Sequence, residues 1–323
     1  MITKMENEYL EKEKKLAAQE KILAKHKWTC MCPNCTEQAI NSHLLQRHGI
    51  LDSVVEQGHL YELKIEDYFK WHTNDPVCFK KVGLQQAISY PLFCSKHDTA
   101  LFIPIEGEVI DFDNYMSQLL FSYRGVCSEI RKKEFVKVRN VAWEDNDINE
   151  SSLLGTDRGL QDLLRYKFLF EKEMTNPAQM FVFKHITYPF IPVYACGTSS
   201  YEPIDYKSER SVDNAMKKKM FDAFFINVIP QKESLEIIIG YHKNHVNPDL
   251  RHYVDSWQKL SLEQLQVKLT DLFAARLEMW GMSPSLYNCL SEEKKKLFLD
   301  NMKKVQTNFY YDIRNELEFN MFE

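Results

Sequence analysis

The chain has 323 residues, 44% hydrophobic and 13% aromatic, too apolar for disorder and long enough for one large domain or two to three small ones. Its formal net charge of −5 excludes a surface that grips nucleic acid everywhere, so any such contact must come from a local patch. No run approaches the roughly eighteen apolar residues of a membrane span, and the charged first residues, Met1 to Glu8, lack the apolar core of a secretory signal. A cytoplasmic protein without membrane contact is the expectation, with its eight cysteines reduced or bound to metal rather than paired as disulfides.

Residues 1–27 read as a charged helix. Glu and Lys are interspersed from residue 4 to 26, and Leu10, Leu16, Ile22 and Leu23 form only a thin apolar stripe. Residues 28–110 hold the most informative patches. Cys30-Met31-Cys32-Pro33-Asn34-Cys35 is separated by 58 residues from Cys94-Ser95-Lys96-His97-Asp98. A C-x-x-C pair with a distant C-x-x-H pair is the ligand pattern of tetrahedral zinc, two short knuckles giving two ligands each. Cys32, Cys35, Cys94 and His97 are therefore the expected ligands of a structural Zn²⁺, with Cys30 able to replace Cys32. Pro33 favours a turn between Cys32 and Cys35. A helix is expected near residues 36–57, starting at Thr36 and interrupted at Gly49; it would carry His43 close to the knuckle.

Residues 111–176 read as a helical connector. Met116, Leu119, Leu120, Tyr123, Val126 and Ile130 follow helical spacing, Asp145 to Gly159 is a polar loop, and Leu160 to Phe170 resumes the helix. Residues 177–323 read as a mixed α/β domain. Phe181–Tyr188, Ile191–Cys196, Phe221–Ile229 and Leu235–Tyr241 are rich in β-branched and aromatic residues, and Pro230–Ser234 would join two of these strands as a hairpin. Ser261 with Gln264 forms a capping-box signature, and Ser291 opens a last helix. His242 and His245 fall in a turn. Two basic runs, Arg131-Lys132-Lys133 and Lys217-Lys218-Lys219, are solvated faces or phosphate contacts. Lys64, Tyr68, Lys70, Trp71 and His72 interleave bases with aromatics beside the metal patches. No G-x-S-x-G, phosphate loop or dinucleotide fingerprint occurs.

The fold class expected is α+β: a zinc-bound ββα module, a helical connector and a C-terminal α/β domain. Cys32-Pro33-Asn34-Cys35, Ser42-His43 and Phe93-Cys94-Ser95-Lys96-His97-Asp98 resemble the HNH nuclease superfamily, a treble-clef or ββα-metal fold, over residues 28–105. The same layout looks like uncharacterised bacterial proteins found beside phage-defence genes. The resemblance implies metal-dependent hydrolysis of DNA or RNA, with His43 activating water and Asp98 holding a catalytic Mg²⁺ or Mn²⁺. Three positions depart from the family pattern: Ser42 stands where a metal-binding residue usually precedes the histidine, Ser89 where an asparagine is expected, and Asp98 in the place of the family's last metal ligand. The alternative implied is a non-catalytic zinc-stabilised module that binds protein or nucleic acid, or pairs with a second copy of the chain.

Overall fold

The computed structural model describes residues 4–65, 77–141, 150–308 and 310–323. Helix α1 (Lys4–Lys25) leads into strand β1 (Ile40–His43), the hairpin β2 (His59–Ile65) and β3 (Val77–Gly83), strand β4 (Ser89–Phe93) and the short helix α2 (Ser95–Phe102). Two long helices follow, α3 (Tyr115–Val141) and α4 (Glu150–Thr175). Then come β5 (Phe181–Pro189), β6 (Val193–Ser200), α5 (Glu209–Lys217), β7 (Ala223–Pro230) and β8 (Ser234–His242). The chain closes with α6 (Pro248–Asp255), α7 (Leu262–Asp271), a π-helical turn (Leu272–Arg276), β9 (Trp280–Met282), α8 (Pro284–Cys289) and α9 (Glu292–Thr307).

Seven strands form one antiparallel sheet in the order β3-β2-β9-β6-β7-β8-β5, while β1 and β4 pair separately. Strand β7 explains the layering. Ala-Phe-Phe-Ile-Asn-Val-Ile-Pro is buried along its whole length, as a strand covered on both faces must be. Period-two alternation sends Phe224, Ile226 and Val228 to one core and Phe225 and Ile229 to the other. The first core lies under α6–α9 and the C-terminal segment, with Trp257, Trp280 and Phe298 at its centre. The second lies under α3 and α4, where Tyr166, Phe170, Phe181 and Phe225 stack, and it continues into the β1–β4–α2 unit through Phe93, Phe102 and Tyr123.

The chain is mixed α and β as expected, and the strands from β5 to β8 and the Pro230–Ser234 connection fall where their residue types place them. The capping box is present: Ser261 Oγ accepts from the Gln264 amide at 3.2 Å and Gln264 Oε1 from the Ser261 amide at 2.9 Å. Two local expectations are corrected. The helix over 36–57 is absent; Ile40–His43 is a strand and Leu51–Ser53 a single 3₁₀ turn. Its apolar residues Leu44, Leu45, Ile50, Leu51 and Val54 are buried by tertiary packing rather than along one helical face. The polar run up to Gly159 is not all loop, because α4 starts at Glu150 and takes in Gly155 and Gly159; residues 145–149 lie outside the described residues.

The hairpin β2–β3 is drawn from the middle of the 28–110 stretch, yet it is the edge of the large sheet, joined through β9. One buried carboxylate reinforces this. Glu62 Oε1 accepts from Tyr194 Oη at 2.8 Å and from the Ile88 amide at 2.8 Å, just ahead of β4. Gly281 sits between them, paired with both Glu62 and Tyr194; a Cβ there would fall 2.7 Å from the Tyr61 carbonyl and inside the Tyr194 ring. Among the described residues no helix is long and apolar enough to cross a membrane.

Candidate metal centre

The segment before β1 folds back on itself. The Cys30 amide donates to the Glu37 carbonyl at 2.8 Å and the Ala39 amide to the Trp28 carbonyl at 2.8 Å, giving a short two-armed knuckle. Its tip is a turn from Cys32 to Cys35, closed by the Cys35 amide on the Cys32 carbonyl at 3.2 Å. Pro33 occupies the second position and Asn34, at φ +61°, the third, the arrangement of a type II turn. Helix α3 braces the knuckle: Arg131 Nη2 donates to the Thr29 carbonyl at 2.8 Å, and its guanidinium stacks on Trp28 at 4.7 Å. The Met31 amide donates to the Leu92 carbonyl at 2.8 Å, so the knuckle is laced to the end of β4.

That lacing brings the two sequence patches together. Cys94 follows β4 and is the N-cap residue of α2, which places His97 in the first turn of the helix. The ligand atoms of Cys30, Cys35, Cys94 and His97 all lie within 4.8 Å of one another. Cys30 Sγ is 3.5 Å and Cys94 Sγ 3.3 Å from His97 Nδ1, and Cys35 Sγ is 4.0 Å from Cys94 Sγ. For Zn–S of about 2.3 Å and Zn–N of about 2.0–2.1 Å, a tetrahedron sets sulfurs about 3.8 Å apart and sulfur and nitrogen about 3.6 Å apart. The three cysteines and the histidine therefore fit a zinc ion in size and in donor type.

Cys32 is not in this group. It opens the turn, its carbonyl closes the turn, and Cys30 on the incoming arm takes the fourth corner. Cys35, Cys94 and His97 stand in the cluster, and the ligand spacing is C-x₄-C with C-x₂-H. Burial pushes the Cys30 thiol up to about 11, so a thiolate there needs a cation beside it. Cys94 is held below the ordinary thiol range, first by the His97 amide at the start of α2.

His43 and Asp98 flank the centre. His43 ends β1, half-buried, and its Nε2 lies 3.3 Å from the Leu84 carbonyl, which fixes the proton on Nε2 and leaves Nδ1 with a free lone pair. Burial holds its pKa below 6.5, the Leu84 carbonyl and Asp98 oppose this, and Arg47 and Arg124 reinforce it. Asp98 lies in the first turn of α2, its buried Oδ1 without a hydrogen-bond partner and 3.8 Å from Arg124 Nη2. Arg124 is buried on α3, stacked at 3.8 Å on Phe102 and paired with Glu106 at 2.5 Å. Nothing in the motif spacing pointed to Arg124; the available signal was a lone arginine inside the apolar run from Leu119 to Ile130. Ser42 is fully buried and Ser89 faces His43 across the β1–β4 pair.

Among the described residues no other group of three or more His, Cys, Asp or Glu brings its ligand atoms together closely enough to hold a metal ion. His242 and His245 face each other at 5.0 Å between ring centres, and burial with the neighbouring imidazole takes His242 down to about 4. Tyr68, Lys70, Trp71 and His72 lie outside the described residues. In comparisons with known protein families, curated proteins and solved structures the chain finds no match, and the donors themselves carry the reading.

Proposed function

We propose that the Cys30–Cys35–Cys94–His97 centre holds structural zinc and that the β1–β4–α2 unit around it is a metal-dependent nuclease site with His43 as the water-activating base. The observation that carries this is the seating of His43: its Nε2 is held by the Leu84 carbonyl, which leaves the Nδ1 lone pair as the basic atom, and burial holds its pKa below 6.5. In such a site Nδ1 takes the proton of an attacking water, the hydroxide adds to phosphorus, and the P–O bond to the leaving sugar oxygen breaks. Asp98, partly exposed, is the carboxylate this site offers to Mg²⁺ or Mn²⁺, ions that bind through one or two carboxylates and keep several waters.

A second reading has its own support. Ser42 is buried and cannot join a metal shell, and Arg124 already answers the Asp98 charge. Those two facts favour a zinc-built surface for protein or nucleic acid without catalysis. The deciding experiment is cleavage of duplex DNA, single-stranded DNA and RNA with Mg²⁺ or Mn²⁺, comparing the native protein with His43→Ala at equal zinc content. A loss of about 10²–10⁴-fold in the variant is expected from removal of a general base. No cleavage by zinc-replete native protein, or equal cleavage by both, overturns the nuclease reading.

A further inference from the structure

Away from the metal centre, a cavity of about 340 Å³ lies between α3, the first half of α4 and the ends of β6 and β7. Four charged residues line it: Glu129, Lys133, Arg158 and Asp162. Both acids are already engaged. Glu129 pairs with Lys132 at 3.2 Å; Asp162 pairs with Arg165 at 3.2 Å and accepts the Phe221 amide at 3.1 Å. The two cations are not. Arg158 donates to the carbonyls of Ala215 at 2.8 Å and Lys218 at 3.1 Å and to Met216 sulfur at 3.3 Å, and lies flat on Phe221 at 4.1 Å. It meets no carboxylate among the described residues. Lys133 makes no close ion pair or hydrogen bond among them, although the carboxylates of Glu129 and Glu278 lie near enough to feel its charge. It reaches the cavity by crossing Gly159 of α4, where a Cβ would fall 2.9 Å from its Nζ.

Both acids are held by other partners, so two cations without a close carboxylate share one cavity, an arrangement that suits an anion. Arg158 is pre-set by its ring and carbonyl partners, leaving guanidinium edge for a planar or tetrahedral oxyanion, and Lys133 adds a mobile point charge. Ser199 and Ser200 bring hydroxyls to the same wall, and Leu163 and Ala223 an apolar one. The volume is at the small end of ligand pockets, enough for one compact molecule.

We propose that this cavity binds a mononucleotide-like phosphate monoester, its phosphate on Lys133 and Arg158 with Ser199 and Ser200, its organic part against Leu163 and Ala223. The inference uses no residue of the metal centre and stands apart from the nuclease reading. It is tested by calorimetric titration of the full-length, zinc-loaded protein with AMP, GMP, CMP and UMP, with inorganic phosphate and adenosine as controls. One saturable site for at least one mononucleotide is expected, with adenosine silent and affinity at least tenfold weaker in Lys133→Gln at unchanged melting temperature and zinc content. Gly159→Ala displaces the Lys133 chain without removing its charge and is expected to weaken binding as well. Absence of mononucleotide binding at millimolar concentration, affinity indifferent to Lys133→Gln, or inorganic phosphate binding as tightly as the mononucleotides overturns the assignment.

Discussion

Replacing Cys30 and Cys32 one at a time separates the observed centre from the one the C-x-x-C spacing suggests. The cluster holds Cys30 Sγ 3.5 Å from His97 Nδ1, while Cys32 opens the turn and contributes no sulfur. Structural zinc in small domains is bound with an apparent free energy of about 10–16 kcal/mol, so an equal share for one of four ligands is about 2.5–4 kcal/mol, or roughly 10²–10³ in affinity. Cys30→Ser is therefore expected to release zinc to a chelator at concentrations that leave the native protein loaded. Cys32→Ser is expected to keep one zinc per chain. The loss would reach folding too, because an ion held by these four donors would tie the knuckle to the first turn of α2; Cys30→Ser should melt several degrees lower and be cut faster within residues 28–43 and 94–106. Metal-to-protein ratio by mass spectrometry, chromogenic chelator titration and thermal melting with and without chelator read these effects. Zinc lost from Cys32→Ser and kept by Cys30→Ser refutes the geometry, and a native protein indifferent to chelator refutes the metal.

Other consequences follow from single residues. If His43 is the base, cleavage should fall as the imidazole protonates, and because its pKa lies below 6.5 the acid limb of the rate profile should lie below that of a free imidazole; a limb above 6.5 contradicts the assignment. His185 lies 2.8 Å from Glu236 on one side and 2.8 Å from Asp113 on the other, and these bonds, Glu236 first, raise its pKa above 6.5. Its contribution is complete below 6.5 and lost as pH rises through the raised value. Burial would raise Glu236, but bonds from His185, Ser234 and Thr187 hold it below 4.5, so its share is present above 4.5 and lost in acid. The difference in melting temperature between native protein and His185→Gln should thus shrink as pH rises above 6.5 through the raised pKa; a constant difference removes the argument. Gly281→Ala pushes a methyl against the Tyr61 carbonyl and Tyr194 and should cost about 2–4 kcal/mol in urea unfolding, from overpacking and the strained Tyr194–Glu62 bond. Arg276→Met leaves Asp271 buried without its 2.7 Å partner and frees the carbonyls of Ile313 and Asn315, so a loss of about 3–5 kcal/mol and faster proteolysis of the last fifteen or so residues are expected.

The strands of the large sheet were legible because β7 and β8 carry the apolar continuity of a strand covered on both faces. Caps were legible for the same local reason: Ser261 and Gln264 satisfy each other's backbone whatever lies around them. The stretch after the knuckle was not. Thr36 with Glu37 has the composition of a helix start, but Leu44, Leu45, Ile50 and Leu51 are buried in the core shared with β4, α2 and α3, so tertiary packing and not the local signal sets the conformation. The choice of ligand was open for a related reason. Spacing alone favours Cys32 with Cys35, whereas the turn at Pro33 and Asn34 spends Cys32 on closing the knuckle and leaves the arm residue two positions earlier facing the histidine.

Helix α3 shows why the metal centre and the sheet cannot be treated as separate bodies. Arg124 and Arg131, seven residues apart, fall on one face of the helix; the first holds Asp98 and Glu106 and the second the knuckle carbonyl of Thr29. Val126, Cys127 and Ile130 fill the core they share, and Gly125 lies so close to Gly197 of β6 that a Cβ would sit 3.3 Å from its backbone. On the neighbouring face Glu129 and Lys133 line the cavity. A change in the seating of α3 on the sheet is therefore felt at Asp98, at the knuckle and at Lys133 together. Each buried arginine satisfies a group of the metal unit, Arg124 the carboxylates of Asp98 and Glu106 and Arg131 the Thr29 carbonyl, so loosening α3 takes away these partners together with its share of the apolar core.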